Sequence, residues 1–198
     1  LKLTSTVRGG RLRAAVFPTL LLVLYTTGMR IGEAIRLRMR DVDMRDTTFY
    51  ISESKGRSRL VPFGDDLAKI LERYLDARRE RAGEAPDGQL LVRVDGTRLT
   101  INAASNTVRF LLRKAGLKPL KGRIGPRPYD LRHTYAVRRL EAWYRDGVDI
   151  HSNLPWLSAY MGHYDLTGTE RYLLATPALL ALAGDRLRAR LTGVGAGP

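Results

Sequence analysis

The sequence contains no cysteine. That absence removes disulfides, thiol nucleophiles and thiolate metal sites at once. Histidine is nearly as scarce: His133, His151 and His163 are the only three, and their spacing matches no metal-binding pattern. Long apolar runs are missing too. The longest, Phe17 to Tyr25, falls well short of the roughly 20 residues that span a bilayer, and it lacks a secretion-type cleavage pattern. Nor is there a Gly-rich Walker loop or a cluster of metal-binding carboxylates, so neither ATP nor a metal nor any other cofactor is expected. Acidic residues are in deficit. Lys and Arg number 34 against 20 Asp and Glu, a net charge of +14. Because Arg and Lys recur in every segment, the excess points to a polyanionic partner, most simply nucleic acid, in an intracellular setting with no membrane.

What is present suits a folded chain. At 198 residues with 44% hydrophobic content, a single domain, or one large and one small, can bury a real core. Periodicity predicts helices over Leu12–Tyr25, Met29–Arg38, Asp65 to about Arg81, Thr100–Ala115 with Thr100 as cap, Tyr129–Tyr144, Pro155–Met161 ended by Gly162, a short one holding Tyr172, and Pro177–Arg190. Strand chemistry appears at Thr47–Ile51 and Arg59–Val61 around a Ser54–Arg57 turn, a natural hairpin, and again at Leu90–Val94. The expected class is α+β, mainly α, with a small antiparallel sheet. Residues 1–191 should form the domain and 192–198 a disordered tail. A chain that opens on Leu1 rather than Met suggests a fragment whose N-terminal portion is absent.

Three stretches carry chemistry. Thr26-Thr-Gly-Met-Arg30-Ile-Gly-Glu33 sets an arginine and a glutamate one helical turn apart, and Tyr129-Asp-Leu-Arg132-His133-Thr supplies a second arginine. Gly162-His163 then precedes Tyr172. Arginine's planar, permanently charged fork matches two phosphate oxygens, and a tyrosine oxygen is a nucleophile able to form a covalent ester. Each residue alone has an ordinary reading: a solvated arginine, a half-buried packing tyrosine, a histidine after a turn glycine.

In order and context, these segments resemble the catalytic domain of tyrosine recombinases, the phage integrase family, over nearly all of residues 12 to 175. The resemblance implies the family's DNA breaking-rejoining fold, a mainly helical domain with a small sheet that cups DNA. It also implies a site made of Arg30, Lys55, Tyr129, Arg132, His163 and Tyr172. In that reading Arg30 and Arg132 clamp the phosphate and Tyr172 attacks phosphorus to give a 3′-phosphotyrosyl ester. Lys55 on the hairpin turn protonates the departing 5′ oxygen, and His163 hydrogen-bonds the phosphate. Glu33 supports Arg30. Tyr129 stands where the family commonly has histidine; a phenol is a poor base at neutral pH but still hydrogen-bonds phosphate. His133, about 100° further round the helix than Arg132, reads as structural.

The implied function is site-specific DNA recombination, by protomers that form a homo-oligomer, a tetramer on two DNA duplexes, in the cytoplasm at the nucleoid. The alternatives are a non-cleaving DNA-binding regulator on the same fold and a type IB topoisomerase-like nicking-closing enzyme. Basic residues expected to follow the DNA backbone are Arg11, Arg13, Arg36, Arg38, Arg57, Lys118, Lys121, Arg123 and Arg127.

Overall fold

The structure, a computed structural model, describes residues 10–54, 57–122, 124–170, 172 and 173, with single positions 181, 184, 185 and 188 beyond. It separates into two units, one running to Arg132 and the other from His133 onward.

In the first unit, α1 (Gly10–Thr27) is a buried helix whose Leu12, Val16, Leu20, Val23 and Leu24 are almost fully enclosed. Their spacing of three and four makes one apolar stripe. It packs on α3 (Asp65–Ala82), which contributes Leu67, Leu71 and Tyr74. Gly28 follows α1 in the left-handed region (φ 63°), where a side chain would be strained. The turn leads directly into α2 (Ile31–Arg36), whose N-cap is Arg30. The sheet is three-stranded and antiparallel, in the order β1 (Val42–Asp43), β2 (Thr48–Ser54), β3 (Arg57–Pro62). Phe49 lies opposite Val61 in β3 and packs against Phe63 with tilted rings, centroids 4.5 Å apart. Thr100 caps α4 (Ile101–Lys114), accepting the Ala103 N–H at 3.2 Å, and Ala104, Val108 and Leu111 form its buried stripe.

Leu90–Val94 is not the expected strand. Within it Val92 forms an isolated bridge with Arg98, and the N–H groups of Leu90 and Arg93 donate singly to the carbonyls of Leu37 and Thr97. Side chains of α3 take the place of a ladder partner: the Tyr74 hydroxyl donates to the Leu90 carbonyl at 2.8 Å and accepts from the Val92 N–H at 3.1 Å. The Arg78 guanidinium, buried, donates to the carbonyls of Gln89 and Leu90. An apolar run satisfied this way carries the composition of a strand without pairing as one.

The helix α5 (Pro128–Arg145) contains both Arg132, in the first unit, and the start of the second. The second unit's core is Ala136, Val137 and Leu140 of α5 against Ile150, Leu154, Leu157 and Met161 of α6 (Ile150–Met161), with Tyr172 among them. α6 begins earlier than Pro155. Asp149 caps it by accepting the Ser152 hydroxyl, the main reason its carboxyl is held below the usual range, and the His151 N–H, and Pro155 sits within the helix. Gly162 closes α6 in the left-handed conformation. The short α7 (Thr167–Glu170) stops before Tyr172, which lies in the following turn rather than in a helix. The expected helix over 177–190 and the tail over 192–198 fall largely or wholly outside the described residues.

Candidate active site

The first unit assembles its arginines around one buried carboxylate. Glu33 has a fully enclosed side chain, an unusual place for an anion unless cations compensate it. Its Oε1 accepts from Arg30 Nη1 at 2.8 Å and from Arg59 Nη1 at 3.2 Å. Its Oε2 accepts from the Arg30 backbone N–H at 2.8 Å and from Arg59 Nη2 at 2.9 Å. Local folding explains the first pair: Arg30 is the N-cap of α2 and Glu33 the third residue of its first turn, where a carboxylate reaches back to the cap N–H. The second pair is tertiary, brought in by β3.

Arg132 reaches the same turn from α5. Its guanidinium is buried, 2% exposed overall, and Nη1 donates to the Gly28 carbonyl at 2.8 Å. The left-handed Gly28 thus lies two residues before Arg30 and anchors Arg132. Tyr129, on the first turn of α5, is 53% exposed.

A cavity of about 460 Å³ opens beside Glu33, lined by Arg36, Arg38, Arg40, Arg98 and Tyr50 among others. A neighbouring one of about 380 Å³ shares Arg36, Arg38 and Arg98. Arg38 and Arg40 both pair with Asp87, whereas Arg36 and Arg98 enter no ion pair among the described residues.

The second unit holds the other two principal side chains. His163 follows Gly162, and its N–H donates to the Ser158 carbonyl at 3.0 Å. Its Nδ1 lies 2.6 Å from the hydroxyl of the buried Thr169. Gly168 packs against the ring so closely that a Cβ there would stand 3.3 Å from Cγ. Tyr172, 1% exposed, has its ring 6.1 Å from that of His163 and 5.1 Å from that of His133. His133, set aside by the helical-wheel argument, is therefore an immediate neighbour of the tyrosine.

Of the other expected residues, Lys55 and Arg123 lie outside the described set, as do the side chains of Arg11, Arg13 and Arg57. Lys121 is exposed, and Arg127 is exposed and paired with Asp130 at 3.3 Å. Lys118 departs from expectation. It is buried, and Nζ donates to the carbonyls of Ile124 (2.6 Å) and Gly125 (3.3 Å), closing its own loop rather than facing a ligand. Among the described residues no group of His, Asp or Glu is arranged to hold a metal, and no helix is long and apolar enough to cross a membrane. Arg59, Arg98, Thr169 and His133 are the positions that pattern reading missed or undervalued.

Residues 6–178 match the phage integrase family. The chain belongs to that family. Similar family members include y4rB of Sinorhizobium fredii (strain NBRC 101917 / NGR234), a protein named as an integrase/recombinase. It is 35% identical over 182 residues, 91% of this chain and 58% of the relative. The tyrosine recombinase XerD of Mycobacterium leprae (strain TN) is 32% identical over 178 residues, 86% of this chain and 52% of its own. The chain thus spans about half the length of these relatives. In fold, the crystal structure of the XerA recombinase superposes with a TM-score of 0.71 at 24% identity, covering 88% of this chain and 57% of that one. The mainly helical architecture with a small antiparallel sheet is that of tyrosine recombinase catalytic domains.

Proposed function

We propose that this chain is the catalytic part of a site-specific DNA recombinase, an integrase or transposon-type enzyme that cuts and rejoins DNA through a phosphotyrosyl intermediate without metal or ATP. The observation that carries the reading is the first unit's arginine assembly. Arg30 is fixed on a buried carboxylate, and Arg132 is fixed on a carbonyl two residues away. Two guanidinium groups held at one turn supply what a phosphodiester needs: fixed positive charge where charge grows in the transition state. Family membership adds weight, as do related folds solved with DNA, such as the XerH recombinase bound to its difH substrate.

In the proposed reaction the Tyr172 oxygen forms a bond to phosphorus while the bond from phosphorus to the 5′ oxygen breaks. The phenolic proton passes to a base, and the 5′ oxygen takes a proton from Lys55. Two imidazoles, His133 and His163, flank the tyrosine ring, which offers a base despite Tyr129 standing in the usual histidine's place. The phosphate's energy stays in the ester, so the freed 5′ hydroxyl of a second strand can reverse the step. Tyr172 is enclosed in its own core, so attack requires DNA binding to release the turn that carries it. Residues 1–191 would act as one catalytic domain, working as a tetramer on two duplexes. Arg36, Arg38 and Arg98, which line the cavities beside Glu33, would seat flanking phosphates.

Nicked duplexes with randomised sequence around the nick provide the test, since a nick lets the cleaved end diffuse away and traps the ester. The wild-type chain should leave protein-linked DNA that survives denaturation, and Tyr172→Phe should bind without linking. Binding without any adduct across pH and salt would instead support a non-cleaving DNA-binding regulator.

A further inference from the structure

We propose that Arg59 is a positioning residue for the phosphate clamp: it shares the buried Glu33 carboxylate with Arg30 and so keeps that carboxylate from cancelling Arg30's charge. The inference rests on the reading above that Arg30 grips the reacting phosphate. Arg59 meets both carboxylate oxygens with its two terminal nitrogens, at 3.2 and 2.9 Å, the fork geometry of a strong ion pair. Arg30 meets the same carboxylate through Nη1 and its backbone N–H, both at 2.8 Å. The two differ in depth. The Arg59 side chain is 10% exposed and that of Arg30 23%, so Arg59 is the inner cation and Arg30 the one that faces outward.

Charge counting gives the consequence. The one carboxylate is divided between two guanidinium groups, so it offsets only part of Arg30's charge, and an enclosed site screens that charge poorly. Were Glu33 paired with Arg30 alone, the pair would be neutral, and its pull on an incoming phosphate would fall although Arg30 stayed in place. Arg59 also lies on β3, opposite Ile51 of β2, so the ion pair fastens the β2–β3 pair of strands to the start of α2. Neither role requires Arg59 to touch DNA.

The test compares wild type, Arg59→Lys, Arg59→Met and Arg59→Met/Glu33→Gln on a nicked duplex enriched from the randomised pool by adduct formation. Three quantities are read: DNA affinity, single-turnover adduct rate at saturating DNA, and thermal midpoint. Arg59→Met should slow adduct formation at least about tenfold while leaving DNA affinity within a few-fold, because binding is spread over many other phosphate contacts. Arg59→Lys, which keeps the charge but loses the fork, should fall between Arg59→Met and wild type. Adding Glu33→Gln to Arg59→Met should recover part of the rate, because it removes the anion that neutralises Arg30 while the glutamine carbonyl can still accept from the Arg30 guanidinium. A wild-type rate in a folded Arg59→Met chain overturns the proposal, and so does a double variant as slow as the single one at equal folding. If Arg59→Met does not fold, the lysine and double variants decide by the same criteria. If the wild type forms no adduct, the recombinase reading falls. Inorganic phosphate binding, followed on the Arg30 guanidinium NMR signal, then decides separately: it must weaken in Arg59→Met and return in the double variant, and equal binding by all variants overturns the proposal.

Discussion

Tyr172 should be chemically silent in the free protein, although it is the residue expected to react. Its ring is 1% exposed and sits in a core with Leu140, Leu157 and Met161. A buried tyrosine encloses about 150–250 Å², and at about 25 cal/mol per Å² its transfer to water costs about 4–6 kcal/mol. The open state then occupies about one molecule in 10³ to 10⁴. Tyr164, 79% exposed and eight positions earlier, is a built-in reference. Nitration with tetranitromethane, followed by peptide mapping, should modify Tyr164 readily and Tyr172 about a thousandfold more slowly. Adding DNA that binds but cannot be cleaved should narrow the gap by drawing the turn out of its core. Nitration of Tyr172 within about tenfold of Tyr164 in the absence of DNA would refute the reasoning, because the tyrosine would then already be available.

Other expectations follow from single contacts. Burial pushes the Tyr74 hydroxyl up to about 12 from an ordinary 10, so the folded state keeps a proton that the unfolded state loses. Stability should be unaffected by this group below about pH 10 and should fall by about 1.4 kcal/mol per pH unit between about 10 and 12. Tyr74→Phe should remove that alkaline component in denaturant titrations, and should cost about 1–3 kcal/mol at neutral pH by orphaning the Val92 N–H and Leu90 carbonyl. Thr169→Val deletes the hydroxyl on His163 Nδ1; adduct formation should slow about tenfold while DNA affinity holds, and an unchanged rate would show that the imidazole does not depend on it. Arg36→Gln/Arg98→Gln should reduce the slope of log affinity against log salt by about 2, since each lost phosphate contact changes it by about 0.9. An unchanged slope would place the DNA elsewhere.

How much of this was legible in the sequence depends on the range of each interaction. The β2–β3 hairpin was readable because aromatic and β-branched residues flank a Gly-bearing turn. The Thr100 cap was readable because capping is local. Arg30 with Glu33 was readable for the same reason, both lying in one helical turn. Arg59 was not: its carboxylate partner is 26 positions away, and in a chain this basic nothing marks one strand arginine from another. The true third strand, Val42–Asp43, is too short to show a period, while Leu90–Val94 has strand composition but finds its backbone partners in Tyr74, Arg78, Leu37 and Thr97 rather than in a ladder. Pro155 looked like a helix start because proline favours first turns, but the Asp149 cap sets the boundary earlier. Tyr172 was picked out among nine tyrosines by its spacing from Gly162-His163, yet that spacing says nothing of its burial, which only packing determines.

The most direct measurement is the identity of the amino acid that carries DNA after trapping. Adduct from a nicked duplex, digested with nuclease and protease and sequenced by mass spectrometry, should yield one peptide bearing a nucleotide 3′-phosphate on Tyr172. A nucleotide on Tyr129, Tyr160 or Tyr164 instead, or on no tyrosine at all while DNA is cleaved, would contradict the account.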